Sequence, residues 1–120
     1  MNVVESTIAG VPLVVIDGDL DQSSKQVVRD IVNGILSGPF SPQNMLFDLT
    51  DCTFIDSGGL SVLLSVLGQL PGWLGVIGAS PATDRVLAYT GFLESDRVRS
   101  FSSPSDAAAS LAREKKQLPI

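Results

Sequence analysis

The chain contains no histidine, one cysteine, one tryptophan and one tyrosine, and its charged residues make up 18% of 120 positions. The lack of histidine removes the commonest general base and the commonest metal ligand. A single cysteine, Cys52, excludes an internal disulfide and fits a reducing compartment. With no histidine to activate it, Cys52 is a poor candidate for a catalytic thiol. Basic residues are also scarce, eight against thirteen acids for a net charge of −5. That balance argues against general nucleic-acid binding, which needs a Lys/Arg footprint. Long apolar runs are missing too. The longest apolar-rich stretch, Leu60 to Ile77, is interrupted by Gly68, Gln69, Pro71 and Gly72, so no membrane span is expected. No basic, then apolar, leader opens the chain, and a soluble cytoplasmic domain is expected.

What is present is a globular composition, 44% hydrophobic, in a length that suits one domain and is too short for two cores. Val3 to Ala9 and Val11 to Ile16 are β-branched runs around Gly10, which predicts an N-terminal strand pair. Gly18-Asp19-Leu20-Asp21 reads as a turn. Ser23 or Ser24 is placed to cap a helix running to about Gly34 or Ser37, with Val27, Val28, Ile31, Val32 and Ile35 on one face. Gly38-Pro39 and Ser41-Pro42 close it. Met45 to Leu49 is a short apolar strand of the kind buried on both faces in a parallel sheet.

A second helix follows Asp56 and runs to about Leu70, and Pro71-Gly72 stops it. Trp73 to Ile77 is a strand. Pro81 opens a third helix, where its missing amide hydrogen costs nothing, and Gly91 ends it. Val98 to Phe101 is a last strand. Ser103 or Ser105 caps an Ala-rich helix that ends in Arg113-Glu114-Lys115-Lys116, whose basic residues suit the negative end of the helix dipole. Alternating strands and helices predict a mixed, mostly parallel α/β sheet of about five strands with four helices and right-handed crossovers.

The stretch Phe54-Ile55-Asp56-Ser57-Gly58-Gly59-Leu60-Ser61-Val62-Leu63-Leu64 carries the functional signal. A strand pattern runs into an acid, a hydroxyl and bare amides, then into a helix start where an anion is tolerated. Asp56 suits a helix N-cap, with a second role in orienting a hydroxyl or touching a partner. Ser57 is the first candidate for phosphorylation. A phosphate there adds about −1.5 to −2 charges, welcomed by the helix end and opposed by Asp56. Ser61, within the first turn, is the second candidate. Gly59 fits a tight strand-to-helix turn, whereas Gly58 shows no structural requirement in the sequence. Most apolar residues of this helix belong to the core; Val62 and Val66 lie off the main stripe and either join it or form an exposed patch for a partner or a second copy of the chain. Asp17, Asp19 and Asp21 alternate as in a calcium loop, but the downstream Gly and Glu are absent, so no metal is expected. The loop also lacks the Gly-Lys-Ser/Thr of a nucleotide-binding P-loop.

Four segments in order resemble a STAS domain, and more closely the bacterial anti-sigma factor antagonists. They are Gly18-Asp19-Leu20-Asp21, Met45 to Asp51 with Phe54-Ile55-Asp56-Ser57, Gly59-Leu60 with Val62-Leu63-Leu64, and Ala79-Ser80-Pro81 through Gly91-Phe92-Leu93. The likeness covers about residues 5 to 112 of a single domain spanning 1 to 120, with 113 to 120 as a tail.

The resemblance implies a binding protein and not an enzyme, with no cofactor. The implied partner is a kinase-like anti-sigma factor of the histidine-kinase-like ATPase type, and the implied output is release of a sigma factor. It further implies contact through Asp21, Ser23, Asp56, Ser57, Gly58, Gly59, Leu60 and Val62. In that family a serine or threonine two places after the aspartate is phosphorylated by the partner; here the position is Gly58, which has no hydroxyl. The switch is then absent or moved to Ser57. The alternative is a non-phosphorylatable scaffold subunit of a stress-signalling or lipid-transport assembly.

Overall fold

The computed structural model describes residues 1–117. In chain order the elements are β1 (Asn2–Ile8), β2 (Val11–Asp17), α1 (Lys25–Leu36), β3 (Met45–Asp48), α2 (Ser57–Gln69), β4 (Leu74–Ile77), α3 (Pro81–Tyr89), a 3₁₀ turn at Phe92–Glu94, β5 (Val98–Phe101) and α4 (Pro104–Gln117). The helix α4 thus extends into the stretch read as a tail, and Leu118, Pro119 and Ile120 lie outside the described residues. The side chains of Lys115 and Lys116, expected to complement the helix dipole, also lie outside them. No described helix is long and apolar enough to cross a membrane.

The strands form one sheet in the order β1-β2-β3-β4-β5. The first pair is antiparallel and the rest are parallel, so this is the mixed α/β sheet with an N-terminal strand pair that the sequence predicts. Ile8 pairs with Val11 across a two-residue turn, in which Ala9 (φ +52°) and Gly10 (φ +81°) are both left-handed. That geometry matches the strand twist of a tight hairpin, although only Gly10 adopts it freely.

Two apolar layers sandwich the sheet, which is why β3 and β4 are buried at every position. On one face Val14, Ile16, Met45, Phe47, Leu74 and Val76 meet the three helices α1, α2 and α3. On the other, Leu13, Leu46 and Ile77 meet Ala107 and Leu111 of α4. Helix starts follow from local chemistry. Ser80 Oγ accepts from the Thr83 amide with Pro81 in the first turn of α3, and Ser103 Oγ accepts from the Asp106 amide to begin α4.

Two long-range clamps hold the ends of elements. The Arg97 guanidinium donates to the carbonyls of Leu67 (2.9 Å), Gly72 (3.0 Å) and Leu70, closing off the C-terminus of α2. Arg99 lies over the Trp73 ring at 4.5 Å and makes a two-pronged ion pair with Glu114, fastening α4 to the sheet.

Candidate functional site

The loop after β2 and the loop after β3 are laced together at the carboxyl edge of the sheet. The Gly18 amide donates to the Asp51 carbonyl (3.1 Å), the Leu20 amide to Phe54 (2.9 Å), and the Asp56 amide back to Leu20 (3.3 Å). Leu20 and Ile55 form a parallel bridge and bury their side chains beneath it. Backbone pairing therefore brings Asp21, some 35 residues away in the chain, next to the start of α2.

Asp56 then ties the two loops a second time. Its Oδ1 accepts from the Gly59 amide at 3.0 Å and caps α2, while Oδ2 accepts from the Gln22 amide at 3.2 Å. The same carboxylate starts a helix and holds the turn beside it. Both carboxylate oxygens of Asp56 thus hold backbone amides, one at the start of α2 and one in the neighbouring turn.

Within the turn, Asp21 Oδ1 accepts from the Ser23 amide (3.0 Å), the Ser24 amide (3.1 Å) and the Ser23 hydroxyl (2.7 Å). Ser24 Oγ donates to the Asp19 carbonyl at 2.7 Å. This corrects the expected cap: neither serine side chain caps α1, and Ser24, at the cap position, has helical backbone and no capping bond. Asp21 does that work one turn earlier. The Ser23 hydroxyl bond, foremost, holds the Asp21 carboxyl below its ordinary value of 3.8. A depressed folded-state value means the turn gains stability above pH 3.8 and loses it as pH falls through the folded value. The amide resonances of Ser23 and Ser24 are therefore expected to titrate with a midpoint below 3.8. A midpoint at or above the ordinary value would contradict the bonding described, and Asp21→Asn should abolish the transition.

Four of the expected contact residues lie under this surface and not on it. Gly58, Gly59, Leu60 (7% exposed) and Val62 (0%) are buried. Of the two readings of Val62 and Val66 (2%), the exposed patch fails: both join the cluster that contains Val28 and Val32 of α1. The reason is that α2 packs on the sheet with α1 against its flank, so apolar positions off the main stripe are covered as well. What α2 leaves to solvent is a stripe through Ser57, Leu64, Ser65 and Gly68, with Leu64 (47% exposed) its one large apolar residue. Phe54 (51% exposed) adds a second on the adjoining loop.

Gly58 also acquires a structural reason. A Cβ there would sit 2.4 Å from Gln22 Oε1 and 2.9 Å from Gln22 Cα. Gln22, which carries no motif, therefore closes over the position where a side chain would stand. At Gly59 a Cβ would be 2.1 Å from the Leu20 carbonyl oxygen, so the constraint there comes from the neighbouring β2–α1 loop and not from the strand-to-helix turn that the sequence suggests.

The two candidate hydroxyls differ. Ser57 is exposed at the first position of α2. Ser61 is half-buried; its Oγ donates to the Gly58 carbonyl (2.7 Å) and accepts from Arg29 (3.4 Å). Of the alternating acids Asp17, Asp19 and Asp21, Asp21 is committed to its turn and Asp19 accepts from Thr53 Oγ1 at 2.8 Å. Among the described residues no group of three or more His, Cys, Asp or Glu converges to hold a metal. Cys52 is buried, burial pushes its thiol above the ordinary value, and Sγ donates to the Phe54 carbonyl. It packs the loop in its protonated form. The arrangement can present a shaped surface at two loops and a helix start.

A family model described as STAS domain matches residues 3–107. Solved structures share the fold at low identity. An anti-sigma factor antagonist from Mycobacterium paratuberculosis is 22% identical with a TM-score of 0.80, over 92% of this chain and 93% of that one. An anti-sigma-factor antagonist (STAS) domain protein from Planctomyces limnophilus is 17% identical with a TM-score of 0.77, over 92% and 97%. A SulP transporter STAS domain from Vibrio cholerae is 14% identical with a TM-score of 0.66, over 86% and 85%. Among curated proteins no sequence matches the chain.

Proposed function

The chain belongs to the STAS domain family, and from that premise we propose that it is an anti-sigma factor antagonist that binds a kinase-like anti-sigma factor without being switched off by phosphorylation. It contributes no chemistry of its own. In the bacterial cytoplasm it competes for the anti-sigma factor, and transcription responds as the sigma factor is released. The contact surface is the Asp19–Ser24 turn, the Thr53–Ser57 loop and the exposed stripe of α2 through Leu64. Protein partners suit such a surface, because exposed Phe54 and Leu64 supply apolar anchors among polar neighbours.

The observation that carries the constitutive reading is the closure of Gln22 over Gly58. The position two places after the aspartate has no hydroxyl, and the space a side chain would need is already filled. Ser61, the hydroxyl on the next turn, is occupied by two hydrogen bonds.

The test is to incubate the chain with the kinase-like anti-sigma factor of its own genome and ATP, then measure association and intact mass. Stable association with no gain in mass is expected. A gain of one phosphoryl group that Ser57→Ala abolishes would move the switch to Ser57 and overturn the constitutive reading. The alternative, a fixed subunit of a stress-signalling or lipid-transport assembly, shares the missing switch; it predicts no association with the anti-sigma factor at all.

A further inference from the structure

At the far side of the carboxyl edge, away from the laced loops, two neighbouring parallel strands send their helices in opposite directions. Strand β4 leads into α3, whose Leu87 packs on the face shared with α1 and α2. Strand β5 leads into α4, whose Ala107 and Leu111 pack on the opposite face. Val76 pairs with Ser100 and Ile77 with Phe101, so the two departing loops start side by side and then diverge. In an open α/β sheet, such a divergence leaves a crevice outside the carboxyl ends of the strands, where ligands bind.

A cavity of about 360 Å³ occupies that place, lined by Val76, Gly78, Ala79, Asp84, Ser100, Phe101 and Ser102. Its size falls at the low end of the usual range for small-molecule sites, roughly 300–1,000 Å³, and its surface is the larger part polar, from the exposed Asp84, Ser100 and Ser102. Val76, Ala79 and Phe101 supply the apolar part. The polar part is of one character. Asp84 lies in the first turn of α3, and among the described residues its carboxylate has no ion-pair partner. Beside it, the Ser102 hydroxyl donates to a second carboxylate, Asp106, at 3.3 Å. No basic residue is in the lining. The amide end of α3 would by itself favour an anion, but Asp84 in its first turn already offsets that charge.

We propose that this crevice binds a small organic cation, an ammonium group carried on a short apolar stem. The stem lies against Val76, Ala79 and Phe101, the ammonium group meets Asp84, and the Ser100 and Ser102 hydroxyls complete its hydrogen bonding. The crevice shares no lining residue with the Gln22–Asp56 surface, so its ligand is tested apart from the partner proposed there.

The probe is n-butylammonium chloride titrated into the isotopically labelled chain, with sodium butyrate as the control of opposite charge. Saturable shifts are expected at the amides of Gly78, Ala79 and Ser102 with n-butylammonium and not with butyrate. Asp84→Asn should weaken the binding roughly fivefold, the scale of an exposed ion pair. Ser100→Phe, which fills the crevice from an exposed strand position, should abolish it while leaving the thermal midpoint unchanged. Shifts that do not saturate, an equal response to butyrate, or an Asp84→Asn variant that binds as well as the natural chain would each overturn the proposal.

Discussion

Gly59→Ala is expected to destabilise the fold by about 3 kcal/mol, the upper part of the range for overpacking a buried position. The methyl would have to stand 2.1 Å from the Leu20 carbonyl oxygen and 2.8 Å from its carbonyl carbon. These are backbone atoms, so no rotamer change relieves the contact. The Leu20 carbonyl is itself held by the Asp56 amide, and the Leu20 amide by Phe54, so moving Leu20 unlaces both loops. Against a typical total stability of about 5–15 kcal/mol this is a large fraction, worth roughly 10 °C in thermal midpoint. Gly34→Ala is the matched control. Gly34 lies within α1 with nothing within 4 Å of an added Cβ. There alanine should stabilise by about 0.5–1 kcal/mol, because the helix no longer has to order a glycine. Circular dichroism melts of the two variants decide the matter. An unchanged midpoint for Gly59→Ala would mean that the close approach of the loops is not maintained.

The contrast between these glycines shows what could be read from the chain and what could not. The order of elements was legible because each depends on local pattern. The β-branched runs form β1 and β2, the caps and Pro81 start α3, and Pro71-Gly72 ends α2 near the expected place. Asp56 as an N-cap was equally legible, since the first turn supplies the donor. What was hidden depends on residues far apart in the chain. Gly58 looked unconstrained because Gln22, which excludes a side chain there, belongs to another loop. Arg97 carries no capping signal, yet it closes α2 through three carbonyls from the far edge of the sheet. The burial of Val62 and Val66 is hidden from the sequence for a related reason. Apolar spacing shows which residues seek cover, and a helix apolar on most of its circumference is a buried one. The neighbouring α1 supplies the cover.

Asp56 is the residue whose replacement should most affect partner recognition. Asp56→Ala removes both bonds at once. The lost cap costs about 1–2 kcal/mol of stability. The Gln22 amide is released to water at the same time, so the turn holding Asp21 and Ser23 no longer has its fixed place beside Ser57. Association with the anti-sigma factor is expected to fall at least roughly tenfold, the loss of one well-placed contact worth about 1.4 kcal/mol. Asp56→Asn separates the two effects. Asparagine caps a helix as well as aspartate does, so its carbonyl keeps the Gly59 bond and most of the stability. Its amide group then faces the Gln22 amide, donor against donor, and the tether is cut. The Asn variant should therefore melt close to the natural chain and still bind weakly in a titration calorimeter. If it binds as tightly as the natural chain, the bridge between Asp56 and Gln22 does not build the docking surface. Recognition would then rest on α2 and its exposed Leu64 alone.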